Sequence, residues 1–320
     1  MVRIAVAGGA GQVGKAIVEG LVAHSGHEVY VLSRSSREPS AGVKYLTVDY
    51  SSVASVQEAL DEAQINTLVC AIGVVNEAAN ASQLRLIQAA ASAEYTKRFI
   101  IASYDLLHKK EHIELNPLAK YTFEAVEALE KTSLEYTRIA NGWFLDYYGM
   151  PHWKTTLHPW INVLNMEQKW AVIPGDGSAK ASFITTQDMA KFLARMMDLE
   201  KWTKVTLILG ETISFKDLLQ LAEEVRGSKF DVAYDDLDSL KGGKISFASK
   251  FPQLAFLTTR HSSPCSTTRP DLVISLCLAM IHSTKSFQIS PSHQRERSWK
   301  LHGKGNRYKS YFNMTSNKGL

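Results

Sequence analysis

"VAGGAGQVGKA", residues 6–16, carries two overlapping glycine patterns. Gly8, Gly11 and Gly14 give G-x-x-G-x-x-G, a dinucleotide turn, whereas Gly9, Gly14 and Lys15 give most of a P-loop, G-x-x-x-x-G-K. A P-loop needs Ser or Thr after its lysine, because that hydroxyl ligates magnesium. Position 16 is alanine, and the apolar runs that read as strands end in Ser33, Ile72 and Ser103, so no strand offers a carboxylate to complete a metal site. The dinucleotide turn requires a strand just before the glycines and a helix just after. "RIAVA" (3–7) and the helical pattern over 12–24 meet both demands. Glycine then lets the backbone turn tightly and approach a pyrophosphate, whose charge meets the helix N-terminus.

The same alternation continues outward. "HEVYVLS" (27–33), "VKYLTV" (43–48), "NTLVCAI" (66–72) and "RFIIAS" (98–103) read as short buried strands, separated by helical stretches at 53–63 and 81–93. A helix over 118–131 leads to the strand "LEYTRI" (134–139), and "KVTLIL" (204–209) leads to a helix over 214–226. Strand, helix, strand at this spacing predicts an α/β protein with a doubly wound parallel sheet, a Rossmann fold, and a smaller C-terminal substrate region.

The end of the second strand chooses the cofactor. An NAD enzyme offers Asp or Glu to the ribose hydroxyls about 20 residues past the glycines. Here the stretch is "SRSSR" (33–37), with Arg34 at that place. A carboxylate would repel a 2′-phosphate, and a guanidinium grips one, so the expectation is NADP(H).

Composition bounds the remaining possibilities. Of 320 residues, 45% are hydrophobic and 21% charged, as in ordinary globular proteins. No apolar run reaches the roughly 18 residues of a membrane span, and no secretory leader is recognisable, so a cytoplasmic protein without a membrane partner is expected. Cys70, Cys265 and Cys277 have no paired spacing, so neither a disulfide framework nor a metal site is expected. The net charge of +4 does not imply nucleic-acid binding. Ten of the 36 Lys/Arg but only two of the 32 Asp/Glu lie at Thr259 or beyond, which leaves the preceding part acidic. The composition divides the chain into a nucleotide-binding domain over 1–258 and a basic Ser/Thr-rich tail over 259–320. The tail reads either as disordered or as sequence from outside the true coding frame.

The glycine pattern, together with "VDYSS" (48–52), "LEKTSLEYTRIANGWFLDYYGMP" (129–151), "AVIPGDGSAKASFITTQDMAKF" (171–192) and "LLQLAEEVRGSKFDVAYD" (218–235), resembles the NmrA-like family of atypical short-chain dehydrogenases, which includes isoflavone-reductase-like enzymes. The likeness is greatest to fungal members and spans about residues 2–250. It implies a nucleotide-binding core over about 1–150 and an interleaved substrate region over about 141–258. By this resemblance Gly8, Gly11, Gln12, Val13 and Gly14 surround the pyrophosphate and Arg34 takes the 2′-phosphate. Asp49 lies near the adenine, or else serves as a helix cap or turn residue. Ala71, Ile72 and Gly73 line the ribose side, Ser103 closes the fifth strand, and Asn141, Gly142 and Phe144 flank the nicotinamide.

Catalytic residues depart from the family pattern. The Tyr-x-x-x-Lys spacing of short-chain dehydrogenases falls on Asn116 and Lys120, without the tyrosine. Isoflavone-reductase-like enzymes use a lysine alone. Counting back from "LEYT" places it on Thr122, with Lys120 two residues, or about 200° of helix, away. Lys120, with its pKa lowered by burial, is the candidate catalytic donor. "HKKEH" (108–112) fits an inverted zinc-protease motif but reads as a solvated loop, and "PGDG" (174–177) reads as a hairpin turn. Trp143, Phe144, Tyr147 and Tyr148 form either a substrate wall or core. Two functions follow: an NADPH-dependent reductase of a small apolar or aromatic molecule, or a non-catalytic NADP-binding redox sensor that docks on a regulatory protein.

Overall fold

The computed structural model describes residues 1–114 and 116–251. The expected tail over 259–320 lies outside the described residues. The N-terminal half alternates as the sequence predicts: β1 (Arg3–Ala7), α1 (Gln12–His24), β2 (Glu28–Ser33), β3 (Val43–Thr47), α2 (Val53–Glu62), β4 (Thr67–Cys70), α3 (Glu77–Ser92), β5 (Arg98–Asp105), α4 (Ala119–Leu129) and β6 (Glu135–Ala140). Next come β7 (Trp143–Phe144), α5 (Asp146–Gly149), β8 (Leu164–Asn165), β9 (Trp170–Pro174), β10 (Lys180–Ile184), α6 (Thr186–Met196), β11 (Val205–Leu207), β12 (Glu211–Ser214), α7 (Phe215–Arg226), β13 (Asp231–Asp235) and α8 (Leu237–Lys241).

Seven strands form one parallel sheet in the order β11-β6-β5-β4-β1-β2-β3. It is a doubly wound Rossmann sheet. Helices α2, α3 and α4 cover one face through Val56, Leu60, Leu86, Ile87, Ala125 and Leu129. The other face is covered by α1 and α6 through Ile17, Leu21, Met189 and Leu193. Strand order reverses between β1 and β4, so the turns that follow these two strands diverge and leave a crevice at their carboxyl ends.

Two small three-stranded sheets, β12-β10-β7 and β13-β9-β8, pack with α7 and α8 around a separate core of Trp170, Phe183, Phe215, Leu218 and Phe251. The expected hairpin at "PGDG" is corrected here, because β9 and β10 belong to different sheets and do not pair. Gly175 and Gly177, both at positive φ, carry the chain from one sheet to the next.

Helix α3 starts four residues earlier than the apolar period indicates, because the Asn76 side chain accepts a hydrogen bond from Ala79 N and caps an extra turn. The tightest packing between helices is α1 on α6. A Cβ at Gly20 would lie 2.8 Å from both Cβ and the carbonyl carbon of Ala190. Gly20→Val should therefore lower unfolding stability by roughly 1–3 kcal/mol through overpacking, even though valine is the better helix former. Urea denaturation reads this, and an unchanged midpoint would show that the seam can part without cost.

Candidate functional site

The glycine turn after β1 is built by close approach. Gly8 has φ +81°, and a Cβ there would lie 2.6 Å from the Ala71 carbonyl oxygen of the neighbouring turn. A Cβ at Gly14 would overlap the Gly8 carbonyl. Helix α1 thus begins directly on the β1 turn. It also begins bare. Side chains of Ser52, Asn76, Thr185, Ser214 and Asp236 cap α2, α3, α6, α7 and α8. Gly11 at the start of α1 has no side chain to do so, and the first turn holds no acidic residue. The N–H groups of such a turn are free for an anion.

A cleft of about 820 Å³ opens at this turn. Gly11, Gln12 and Val13 line one side, Ala71, Ile72 and Gly73 another, and Asp105, Tyr121, Thr122 and Tyr147 the far wall. A second hollow of about 640 Å³ lies at the ends of β2 and β3, bounded by Arg34, Asp49, Tyr50 and Ser82. Arg34 is exposed there. Asp49 is a turn residue rather than a cap: it accepts hydrogen bonds from the Ser51 hydroxyl and N–H at 2.7 and 2.8 Å, and these hold its carboxyl below the usual range. Ser52 does the capping of α2. Tyr50 donates to the Leu32 carbonyl at 3.1 Å and is pushed up to about 12 by burial. The bare helix N-terminus and the glycine approach fit the phosphates of a nicotinamide dinucleotide, and Arg34 stands exposed in the hollow beyond β2.

Three expected site residues occupy other places. Ser103, Asn141 and Gly142 are absent from the cleft wall and instead converge on Asp105. The Ser103 hydroxyl lies 3.3 Å from Asp105 Oδ1, and the Asn141 and Gly142 N–H groups both donate to the Asp105 carbonyl, at 3.0 and 3.1 Å. His108 completes the arrangement, with Nε2 3.1 Å from Asp105 Oδ2 and its carbonyl held by Arg138 Nη2 at 2.8 Å. Asp105 was hidden in the sequence because β5 extends to it through a bulge that the apolar run does not foretell. The "HKKEH" segment is only partly solvated: Lys109, Lys110 and Glu111 are exposed, whereas His108 and His112 are buried.

Phe144 is corrected too. It packs with Ile139 and Ile184 in the core, because β7 pairs with β10 and turns its ring inward. Trp143 and Tyr148 join the core of the small sheets, and only Tyr147 of the four aromatics reaches the cleft.

Lys120 requires the largest correction. It is not among the residues that line the cleft. Its Nζ lies 2.6 Å from Glu77 Oε1 at the start of α3, and this hydrogen bond raises its pKa instead of lowering it. Tyr121 and Thr122, the next residues of α4, face the cleft in its place. Burial raises the Tyr121 phenol and pushes Tyr147 up to about 12, so both stay protonated hydrogen-bond donors at neutral pH.

Another wall comes from Thr155–His158, which sequence reasoning missed. The Thr156 hydroxyl donates to the Gln12 carbonyl at 2.6 Å, and His158 N donates to Gln12 Oε1 at 3.0 Å. Gln12 therefore ties this segment to the glycine turn as well as lining the cleft. At its base the buried Asp146 carboxylate accepts from the Thr155 hydroxyl at 2.6 Å, the Thr186 hydroxyl at 2.6 Å and Thr186 N at 2.9 Å.

Comparison with known proteins agrees with this architecture. A model of the NmrA-like family matches residues 2–258. The chain belongs to the NmrA-like family. Within that family it is similar to "Oxidoreductase BOA1" of Botryotinia fuckeliana, at 36% identity over 72% of this chain and 78% of that protein. It is also similar to "Oxidoreductase swnN" of Metarhizium robertsii, at 31% identity over 77% of this chain and 80% of that protein. Among solved structures, the leucoanthocyanidin reductase–NADPH binary complex from Vitis vinifera shares the NmrA-like fold, with TM-score 0.67 and 14% identity over 97% of this chain and 99% of that one.

Asp146→Asn places an amide N–H against the Thr186 N–H. It should cost roughly 1–3 kcal/mol, the penalty for an unpaired buried polar group, and weaken nucleotide binding by releasing the Thr155–His158 wall. Urea unfolding and a nucleotide titration check both effects; no change in either would show that the wall stands without Asp146.

Proposed function

We propose that this protein is an NADPH-dependent reductase of a small apolar or aromatic molecule. The observation that carries the reading is one cleft shared by a bare glycine-turn helix end, an apolar wall and a proton-holding group. The apolar wall is Ile72, Val74, Val75, Leu118 and Leu157, with the Tyr121 and Tyr147 rings among it. A flat hydrophobic substrate gains by leaving water for such a wall, and the Tyr147 phenol can orient a carbonyl or ether oxygen. The cofactor supplies a hydride when bound. The fungal oxidoreductase relatives and the NADPH complex of the structural neighbour support the reading.

The proton that balances the hydride is assigned to the Asp105–His108 pair. Asp105 stands in the cleft wall with its backbone fixed by Asn141 and Gly142. His108 lies behind it, 1% exposed, in hydrogen-bond reach of its carboxylate. An imidazole can hand a proton to a carboxylate it is hydrogen-bonded to, and a carboxylate between it and the cleft can pass the proton to a substrate oxygen or carbon. Lys120, bound to Glu77, favours the sensor reading only if this pair is also silent.

NADPH absorbance followed over a panel of quinones, enones and phenolic alkenes tests the proposal. Asp105→Asn and His108→Gln should each cut turnover by about a hundredfold while NADPH affinity holds, and Lys120→Ala should leave both unchanged. Tight NADPH binding with no consumption of any compound would favour a sensor that docks on a protein partner, and a Lys120→Ala variant that binds NADPH but is dead would return the donor role to Lys120. Cofactor choice has its own check. Arg34→Ala should lose tenfold to a hundredfold in NADPH affinity, the worth of about 1.5–3 kcal/mol of charged hydrogen bonding, with NADH affinity unmoved. Equal losses for both nucleotides would remove Arg34 from the 2′-phosphate.

A further inference from the structure

At the end of the sheet remote from the cleft, three side chains with metal-ligating atoms meet. His24 is the last residue of α1, His27 lies just before β2, and Asp198 follows α6. The chain reverses through Ser25, at φ +55°, so that the two imidazoles stand with ring centroids 5.5 Å apart. His24 Nε2 lies 2.8 Å from Asp198 Oδ2, and His27 Nε2 lies 3.4 Å from Asp198 Oδ1. One ligand atom from each of the three residues falls within 4.8 Å of the others.

We propose that His24, His27 and Asp198 form a binding site for a borderline divalent transition metal ion, of which zinc suits the two-imidazole, one-carboxylate donor set. Ligand atoms around a tetrahedral zinc ion stand roughly 3.3 Å apart, given bonds of about 2.0–2.1 Å. The two carboxylate spacings, 2.8 and 3.4 Å, lie near that value, and the remaining ligand-atom separation, within 4.8 Å, closes by side-chain rotation, Asp198 being 55% exposed. The independent sign is His27. Its side chain is 3% exposed, yet neither ring nitrogen makes a hydrogen bond. Such a group is costly to bury without a partner. Calcium and magnesium prefer oxygen ligands and do not suit this set.

The location gives the ion a mechanical role. Helix α1 runs 13 residues from the glycine turn to His24, a length of roughly 20 Å. Helix α6 begins at Thr186 and Gln187, which line the cleft, and Asp198 lies two residues beyond its end. An ion here closes α1 onto α6 at their C-terminal ends and holds the seam whose N-terminal ends border the nucleotide cleft.

The test uses the full chain, dialysed against a chelator and titrated with zinc chloride by calorimetry, with thermal melting alongside. Wild type should bind one ion saturably and melt several degrees higher, while magnesium chloride should give no binding. His27→Gln and Asp198→Asn should each weaken zinc binding by more than about a hundredfold, because even loss of an outer-shell partner costs tenfold to a hundredfold. Asp198 is exposed, so Asp198→Asn keeps the fold and decides the matter alone if His27→Gln does not refold. No saturable zinc binding in wild type overturns the proposal. So does binding that survives either substitution, which would place the ion on other histidines or cysteines.

Discussion

Backbone against backbone at Gly8 and Gly14 is the contact on which the rest of the molecule is arranged. Only hydrogen fits between the α1 backbone at Gly14 and the Gly8 carbonyl, or between Gly8 and the Ala71 carbonyl of the adjoining turn. Helix α1 therefore starts flush on the sheet, and Ile17 and Leu21 descend into its core. The same approach brings the turns after β1 and β4 together where the strand order reverses, and that crevice becomes the floor of the cleft. A helix placed by glycine cannot be capped by a side chain, so it presents its N–H groups and the positive end of its dipole to whatever anion enters.

Long-range polar ties then raise the walls. Gln12 holds the segment 144–146 residues further along the chain by two hydrogen bonds, and Asp146 anchors that segment to the start of α6. Asp105 has a similar place on the far side, where Ser103, His108, Asn141 and Gly142 all meet it. Polar ties of this kind fix geometry more sharply than apolar packing does, because a lost partner leaves a desolvated atom. Apolar burial supplies the bulk of the stability, and these few carboxylates set the shape of the site.

Helix α1 links two ends of the protein with different chemistry. Its N-terminus meets the glycine turn at the cleft, and its C-terminus carries His24 beside Asp198 and the buried imidazole of His27. The seam with α6 runs between them, closed at Gly20 on Ala190. Whatever tightens one end of such a rigid pair is felt at the other, because helices packed this closely move as units.

The sequence by itself determined the parallel sheet, the glycine turn and the arginine beyond β2. Strand alternation and glycine spacing are local constraints, and a strand bounded by glycines has few alternatives; β1 and α1 keep the limits that the apolar pattern predicts, and β2 starts one residue later. Tertiary structure alone decided which side chains meet in the cleft. Lys120 pairs with Glu77 off the cleft wall while Thr122, about 200° further round the helix, lines it, because the docking of α4 sets the phase. Phe144 is core and Tyr147 is wall because β7 joins β10 across the chain, and Asp105 emerges through a bulge with no mark in the apolar run. His24, His27 and Asp198 meet only because α1 packs on α6, a contact between segments more than 160 residues apart that no local pattern encodes.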